Sequence, residues 1–168
     1  MTGSSDVAGI PPEKELEAIR LRYRLHGELT PPVWPHGYVV RPFQLADARA
    51  AHALLTLTLQ KEEKDFDTWW ATLSGDAEFD PALLFVVDDP DGRLVAVAFC
   101  WTSDYLKYLA VHPAARRRGL AEALLWHVFA VFRERGATRV DLKTRVVENA
   151  NAVRLYRRIG MFEVDWNG

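Results

Sequence analysis

The sequence predicts an α+β fold, in which a mixed and mostly antiparallel central sheet is flanked by helices. In the first half, two apolar segments, residues 83–87 and 93–101, lie on either side of an Asp-Asp-Pro-Asp-Gly turn, which is typical of a hairpin. In the second half, an apolar strand over Tyr105–Val111 is followed by a series of helices and strands. A chain of 168 residues has the size of one ordinary domain, so we expect a single core.

The composition excludes several classes of protein. Hydrophobic residues make up 49% of the chain, yet no apolar run approaches the roughly 20 residues that cross a bilayer. The formal net charge of -2 argues against a nucleic-acid binder that relies on a strongly basic face. The single cysteine, Cys100, lies in an apolar run and is expected in the core. The N-terminus carries no signal peptide, so we expect a cytoplasmic protein without a membrane or nucleic-acid partner.

The N-terminal part is predicted to precede the main domain. Residues 1–10 are small and polar and are expected to form a disordered tail. Residues 11–36 are predicted to form an extra N-terminal helix and a proline-rich connector, because Leu16, Ile19 and Tyr23 recur at helical spacing. The main domain then covers residues 37–168.

The first elements of that domain follow from simple patterns. A short strand over residues 38–42 ends at a proline, and residues 44–60 carry an apolar stripe with helical period. A second, shorter helix begins near Asp67 and includes the adjacent Trp69 and Trp70. Neighbouring positions on a helix point about 100° apart, so one indole can be buried while the other stays accessible.

The central segment runs from Tyr105 to Ala121 and predicts an anion-binding loop. The strand leads through Pro113 and three arginines into a long helix that opens with Gly119 and extends to Arg135. The unpaired N–H groups and the dipole of a helix N-terminus attract anions, and guanidinium groups pair with phosphate. These residues alone are also consistent with an exposed basic turn in which the glycine only relaxes the bend.

Two further elements complete the chain. Residues 138–144 alternate between polar and apolar side chains, as does a strand with one covered face. Asn149 is predicted to cap a helix, and residues 162–166 begin a last strand. Asn149 and Tyr156 are two helical turns apart, so their side chains differ by only ~20° around the axis.

Two motifs resemble those of the GNAT superfamily of N-acetyltransferases. The loop from Arg116 to Ala121 is similar to the family signature R/Q-x-x-G-x-G/A. Residues 149–156 are similar to N-x-x-A-x-x-L-Y, and the G-F pair that follows is interrupted here by Met161. The resemblance covers residues 37–168. It implies transfer of an acetyl group from acetyl-coenzyme A, without a metal, to a primary amine of a small molecule or a protein.

The resemblance also implies roles for individual residues. The residues expected to bind acetyl-coenzyme A are Leu109, Ala110, Val111, Arg116, Arg117, Arg118, Gly119, Leu120, Ala121, Asn149 and Tyr156. Leu109, Ala110 and Val111 would pair with the pantetheine arm, and the loop would hold the pyrophosphate. Tyr156 would lie near the sulfur as the general acid. Many members place a glutamate on or near the central strand, whereas this strand carries Lys107.

Three questions stay open at this point. The general base is not evident from the sequence: Asp104, just before the central strand, is a candidate, and Glu62, Glu63, Asp65, Asp67 or a water relay are alternatives. A catalytically weak coenzyme-binding regulatory or interaction module is the alternative function, and a nucleotide hydrolase is disfavoured because no G-x-x-x-x-G-K-[ST] motif is present. The family generally has a further strand after the G-F pair. That strand is expected to be missing, to come from a partner in a homodimer, or to be replaced by the N-terminal helix covering the edge.

Overall fold

A computed structural model of the protein describes residues 18–59 and 65–167, which form two compact units. The larger unit lies within residues 25–140, and the smaller one combines residues 18–24 with residues 141–167. The larger unit contains β2 (Val39–Pro42), α1 (Ala48–Leu59), α2 (Phe66–Ser74), β3 (Leu84–Asp88), β4 (Leu94–Trp101), β5 (Tyr105–Val111) and α3 (Leu120–Glu134). The smaller unit contains β1 (Ala18–Arg24), most of β6 (Arg139–Arg145), α4 (Ala150–Ile159) and β7 (Phe162–Val164).

The larger unit is built on an antiparallel sheet with the strand order β2-β3-β4-β5. The hairpin of β3 and β4 and the strand β5 are where the sequence predicted them. One irregularity occurs in β5, where Phe99 pairs with Tyr108 but Cys100 pairs with Leu106. Lys107 therefore has no partner in β4 and forms a β-bulge, which bends the strand locally.

One part of the core of the larger unit lies between this sheet and the helices α1 and α2, and another part is formed by the buried side of α3. Trp69 is buried and Trp70 is half-buried, as adjacent helical positions allow. Cys100 is also buried, and burial raises the pKa of its thiol well above the ordinary value. A neutral buried thiol is a poor nucleophile, which agrees with the predicted core role.

The predicted N-terminal helix is wrong for the residues that the structure describes. Residues 18–24 form the strand β1, whereas residues 11–17 lie outside the described part of the chain. The helical spacing of the apolar residues was misleading because a period of two fits the same segment. Its apolar and basic side chains alternate strictly, in the order Ile19, Arg20, Leu21, Arg22, Tyr23 and Arg24.

In the smaller unit the strands lie in the order β6-β1-β7. Strands β1 and β7 are antiparallel, with Arg20 opposite Val164 and Arg22 opposite Phe162. The N-terminal segment therefore pairs with the edge of β7 as a strand, instead of covering it as a helix. The expected helix from Asn149 and the strand after Gly160 are both present.

A buried ionic cluster fixes β1 to β6. The Asp141 carboxylate accepts hydrogen bonds at 2.8 Å from Nε of both Arg20 and Arg22, and at 3.0 Å from Nη2 of Arg22. Asp141 is 1% exposed and Arg22 is 6% exposed. Arg20 also donates to the carbonyl of Trp166 at 3.0 Å, which ties the segment after β7 to the same cluster.

The α+β class and the mostly antiparallel arrangement of strands with flanking helices are confirmed. Within residues 18–59 and 65–167, every helix is too short or too polar to pass through a lipid bilayer.

Candidate active site

The end of β5 is turned sharply by local hydrogen bonds. The His112 N–H donates to the carbonyl of Val95 at 2.7 Å, which ends the pairing of β5 with β4. The Ala114 N–H donates to Nδ1 of His112 at 3.0 Å, and a 3-10 turn follows over Pro113–Ala115. The side chain of Ala115 is buried, so residues 116–119 are held at the surface between two anchored points.

Gly119 is the N-cap of α3 and adopts a left-handed conformation with φ of 81°. Gly119 has no side chain that could cap this helix, and no side chain in the described part of the chain does so, so its first N–H groups are available to a ligand. A Cβ atom at Gly119 would meet no atom of residues 18–59 or 65–167 within 4 Å, so these residues do not crowd this position. The glycine is required by the backbone conformation, and the open space in front of it is accessible to an anion.

Arg117 is a second left-handed residue in this loop, with φ of 65°. Left-handed residues in turns are components of the concave backbone segments that bind anions. A residue with a Cβ pays about 1–2 kcal/mol for this conformation. The sequence gives no signal for this strain, because arginine is not a residue that favours positive φ.

Replacing Arg117 with glycine is expected to make the protein about 1 kcal/mol more stable than replacing it with alanine, because glycine adopts positive φ without strain. The free energy of unfolding in urea measures the difference. Arg116 provides the matched control, since its φ of -72° and ψ of 165° suit any residue. At this position the glycine variant should be less stable than the alanine variant. Equal stabilities of the two Arg117 variants would show that the loop is not strained.

The three loop arginines are exposed and carry no ion pair with a carboxylate of the described residues. Nε of Arg116 donates to the carbonyl of Val111 at 3.3 Å. The guanidinium carbon of Arg118 lies 6.0 Å from the ring centre of Tyr38, at the limit of a cation–π contact. These guanidinium groups are therefore available to pair with phosphate.

The predicted strand residues lie on β5 opposite β4. Leu109, Ala110 and Val111 pair with Ala98, Val97 and Ala96 of β4, respectively. Of these three β5 residues, only Ala110 is buried. The side chain of Leu120, the first residue of α3, is 2% exposed, so only its backbone can face a ligand. The next residue, Ala121, is half-buried.

The candidate base, Asp104, lies in the turn between β4 and β5 and is half-buried with a left-handed φ of 63°. A second carboxylate at this turn was missed by sequence reasoning. Oε1 of Glu78 accepts the N–H of Ser103 at 3.1 Å, and the Glu78 carbonyl accepts the N–H of Thr102 at 3.1 Å. Glu78 lies in an aperiodic segment, so no sequence pattern could have placed it beside the turn. The alternatives Glu62 and Glu63 lie outside the described residues.

A connected set of aromatic rings lies beside this turn. The ring centres of Phe43 and Trp70 are 5.7 Å apart, and those of Trp70 and Phe79 are 5.8 Å apart. The ring centre of Phe99 lies 5.5 Å from that of Phe43 and 6.5 Å from that of Tyr108. Trp70, Phe79 and Tyr108 are only partly buried, so they present an aromatic surface.

Asn149 and Tyr156 lie in the smaller unit. Asn149 occupies the N-cap position of α4, but its side chain does not cap the helix, which corrects the predicted capping role. Instead, Nδ2 of Asn149 donates to Oγ1 of Thr144 at 3.1 Å. Tyr156 is 7% exposed, and burial raises the pKa of its phenol to about 12. The phenol is therefore protonated at neutral pH and can donate a hydrogen bond.

Comparisons with known proteins agree on one family. A family model described as the acetyltransferase (GNAT) family matches residues 46–161. The mycothiol acetyltransferase of Kineococcus radiotolerans is 33% identical in an alignment of 144 residues that covers 79% of this chain and 45% of that protein.

Solved structures give the same result. A GCN5-related N-acetyltransferase from Sphaerobacter thermophilus has a TM-score of 0.77 and 28% identity over 88% of this chain and 48% of that one. The ribosomal-protein-S18-alanine N-acetyltransferase from Escherichia coli has a TM-score of 0.60 and 25% identity over 73% of this chain and 76% of that one. This chain spans less than half the length of the Kineococcus and Sphaerobacter proteins.

Proposed function

Because the chain belongs to the acetyltransferase (GNAT) family, we propose that it transfers an acetyl group from acetyl-coenzyme A to a primary amine of a small molecule or a protein. The observation that carries the proposal is the loop between β5 and α3. It combines a left-handed Gly119, an uncapped helix N-terminus and three exposed arginines.

This loop fits the pyrophosphate of acetyl-coenzyme A. The first N–H groups of α3 and the left-handed backbone at Arg117 and Gly119 offer donors to phosphate oxygens. Arg116, Arg117 and Arg118 neutralise its charge with planar guanidinium groups. The coenzyme supplies an acetyl group activated as a thioester. Backbone groups of Leu109, Ala110 and Val111 bind its pantetheine arm, and Asn149 is assigned to coenzyme binding by its motif.

The chemical step needs an acceptor amine without its extra proton, a donor for the oxyanion and a donor for the departing sulfur. We assign the oxyanion to a backbone N–H of β5 and the sulfur to the Tyr156 hydroxyl. A thiol has an ordinary pKa of about 8.5, so full proton transfer from a phenol with a pKa of about 12 is uphill by about 5 kcal/mol. Tyr156 therefore acts as a hydrogen-bond donor that stabilises the thiolate. Asp104 is the proposed base, which accepts the proton that the nitrogen loses as it bonds to the thioester carbon.

The acceptor is proposed to carry an apolar or cationic group beside its amine. The partly buried rings of Trp70, Phe79 and Tyr108 offer ring burial and cation–π contacts to such a group. Trp101 and Tyr105 are paired across the hairpin and are half-buried, so both are also available to such a group. The name of the Kineococcus relative makes mycothiol-type amines the first members of an acceptor panel.

A coenzyme-binding module without catalysis is the second candidate. It is favoured by Lys107, which stands on the strand where many family members carry a glutamate. The two candidates predict the same coenzyme binding. They differ in turnover, because only the enzyme transfers the acetyl group to an added amine.

Replacing Gly119 with glutamate is expected to weaken acetyl-coenzyme A binding by about a hundredfold or more. Two like charges about 4 Å apart near a protein surface repel by about 4 kcal/mol. Calorimetric titration of both proteins measures the change.

Gly136→Glu is the matched control for this experiment. Gly136 follows the other end of α3, has a positive φ of 88° and is equally free of neighbours within 4 Å. Both substitutions therefore impose the same kind of backbone strain, but only the one at Gly119 lies in the proposed site. Absence of wild-type binding, or equal losses in the two variants, would contradict the coenzyme site.

A further inference from the structure

Lys107 is the bulged residue of β5 and is exposed. Its Nζ lies 5.3 Å from the ring centre of Tyr108. No carboxylate of residues 18–59 or 65–167 forms an ion pair with it. An exposed amine without a bound carboxylate is free to move and to react.

The position of Lys107 along β5 brings this amine close to the proposed thioester. Lys107 precedes Leu109 by two residues, which is about 6.6 Å along a strand. A lysine side chain has a flexible four-carbon stem, so its amine samples the strand on both sides of its own Cα atom. Lys107 is the extra residue of the bulge and has no pairing partner in β4.

We propose that Lys107 is an internal acetyl acceptor, so that the protein acetylates itself at this residue. The proposal rests on the proposed binding of acetyl-coenzyme A beside Leu109, Ala110 and Val111. The unprotonated Nζ attacks the thioester carbonyl, an N–C bond forms and the C–S bond breaks. The sulfur leaves as a thiolate and takes up a proton, while the nitrogen loses one to solvent. The products are acetyl-lysine and free coenzyme A, with no change in oxidation state.

Self-acetylation alters the surface that the acceptor is proposed to use. The ammonium group of Lys107 lies near the ring of Tyr108, which belongs to the aromatic surface. An acetylated lysine carries no charge, so its cation–π contact with Tyr108 is lost. The modification therefore exchanges a cationic neighbour of the aromatic surface for a neutral amide.

Incubation of the full chain with acetyl-coenzyme A, followed by peptide mass spectrometry over time, tests this proposal. Lys143 is the matched control, because it is also an exposed strand lysine whose Nζ lies over an aromatic ring, 4.7 Å from the centre of Trp166. We expect Lys107 to be acetylated at least about tenfold faster than Lys143, because a bound thioester has a high effective concentration. The rate constant should not depend on protein concentration. In Gly119→Glu, acetylation of Lys107 should fall to the Lys143 rate.

Equal rates at the two lysines, or acetylation of Lys107 that persists in Gly119→Glu, would show ordinary chemical acetylation and overturn the proposal. If the wild type binds the coenzyme and acetylates an added amine while Lys107 stays unmodified, only this inference fails. If neither coenzyme binding nor any acetylation occurs, the proposed function fails with it.

Discussion

Replacement of Asp141 by alanine should lower the free energy of unfolding by about 3–5 kcal/mol. The carboxylate is 1% exposed and accepts hydrogen bonds from both Arg20 and Arg22. Without it, the guanidinium of Arg22, which is 6% exposed, remains as an uncompensated buried charge. The change is measured by urea unfolding, with hydrogen exchange to show that β1 and β7 lose protection first.

Asp91→Ala is the matched control for this loss. Asp91 also pairs with an arginine, at 3.0 Å, but both side chains are about three-quarters exposed. An exposed pair of this kind contributes at most about 1 kcal/mol. Similar losses in Asp91→Ala and Asp141→Ala would mean that the buried cluster adds nothing beyond a surface ion pair.

The same cluster gives a pH dependence with a definite sign. Burial acts to raise the pKa of Asp141, but the hydrogen bonds from Arg22 and Arg20 outweigh it and hold this pKa below its ordinary value. A carboxylate whose pKa is lowered in the folded state stabilises that state when the pH is above the pKa of the group in the unfolded chain, which is about 3.9. This contribution is fully present at neutral pH and is lost as the pH falls below about 4. In Asp141→Ala the loss of stability with acid should be smaller.

Replacing Tyr156 with phenylalanine should lower kcat by about a hundredfold or more, because the departing sulfur loses its hydrogen-bond donor. Coenzyme affinity should change little, since the ring of Tyr156 is kept. Burial holds the pKa of this phenol at about 12, so its proton is present throughout the range from pH 6 to 10. The wild-type rate should therefore show no fall from Tyr156 ionisation in this range. A kcat within twofold of the wild type would remove Tyr156 from the mechanism.

The proposed base is tested in the same assay. Asp104→Asn should remove the ionisation of the enzyme's base from the pH profile of kcat/KM, so that only the ionisation of the acceptor amine remains at its acidic end. Glu78→Gln is the control, since Glu78 is a carboxylate at the same turn that already accepts the N–H of Ser103. An unchanged profile in Asp104→Asn would favour a base from the residues around Asp65 or a water relay.

The sequence predicted most strands and helices because their patterns are strong. The apolar runs of β3 and β4, the Asp-Gly turn between them and the glycine before α3 each permit few structures. The loop of the candidate site was found for the same reason. The segment 18–24 was misjudged because its side chains fit a helical period as well as an alternating one, and only pairing with β7 decides between them.

Other features of the site were beyond sequence reasoning because tertiary contacts create them. The strained backbone of Arg117, the approach of Glu78 to the hairpin turn and the bulge at Lys107 depend on how neighbouring segments meet. Their residue types carry no local signal. Asn149 is predicted as a site residue by its motif, and its bond to Thr144 replaces the cap that its position predicted.

The place of β1 between β6 and β7 has a consequence for biosynthesis. Arg20 and its bonding partner Trp166 are 146 positions apart, so this strand leaves the ribosome long before its neighbours exist. At a synthesis rate of about 5–20 residues per second, the nascent strand has no pairing partner at either edge for about 7–30 s. Contacts of such high sequence separation raise the contact order and slow folding. Three arginines alternate along β1, and their mutual repulsion discourages two waiting chains from pairing through this strand.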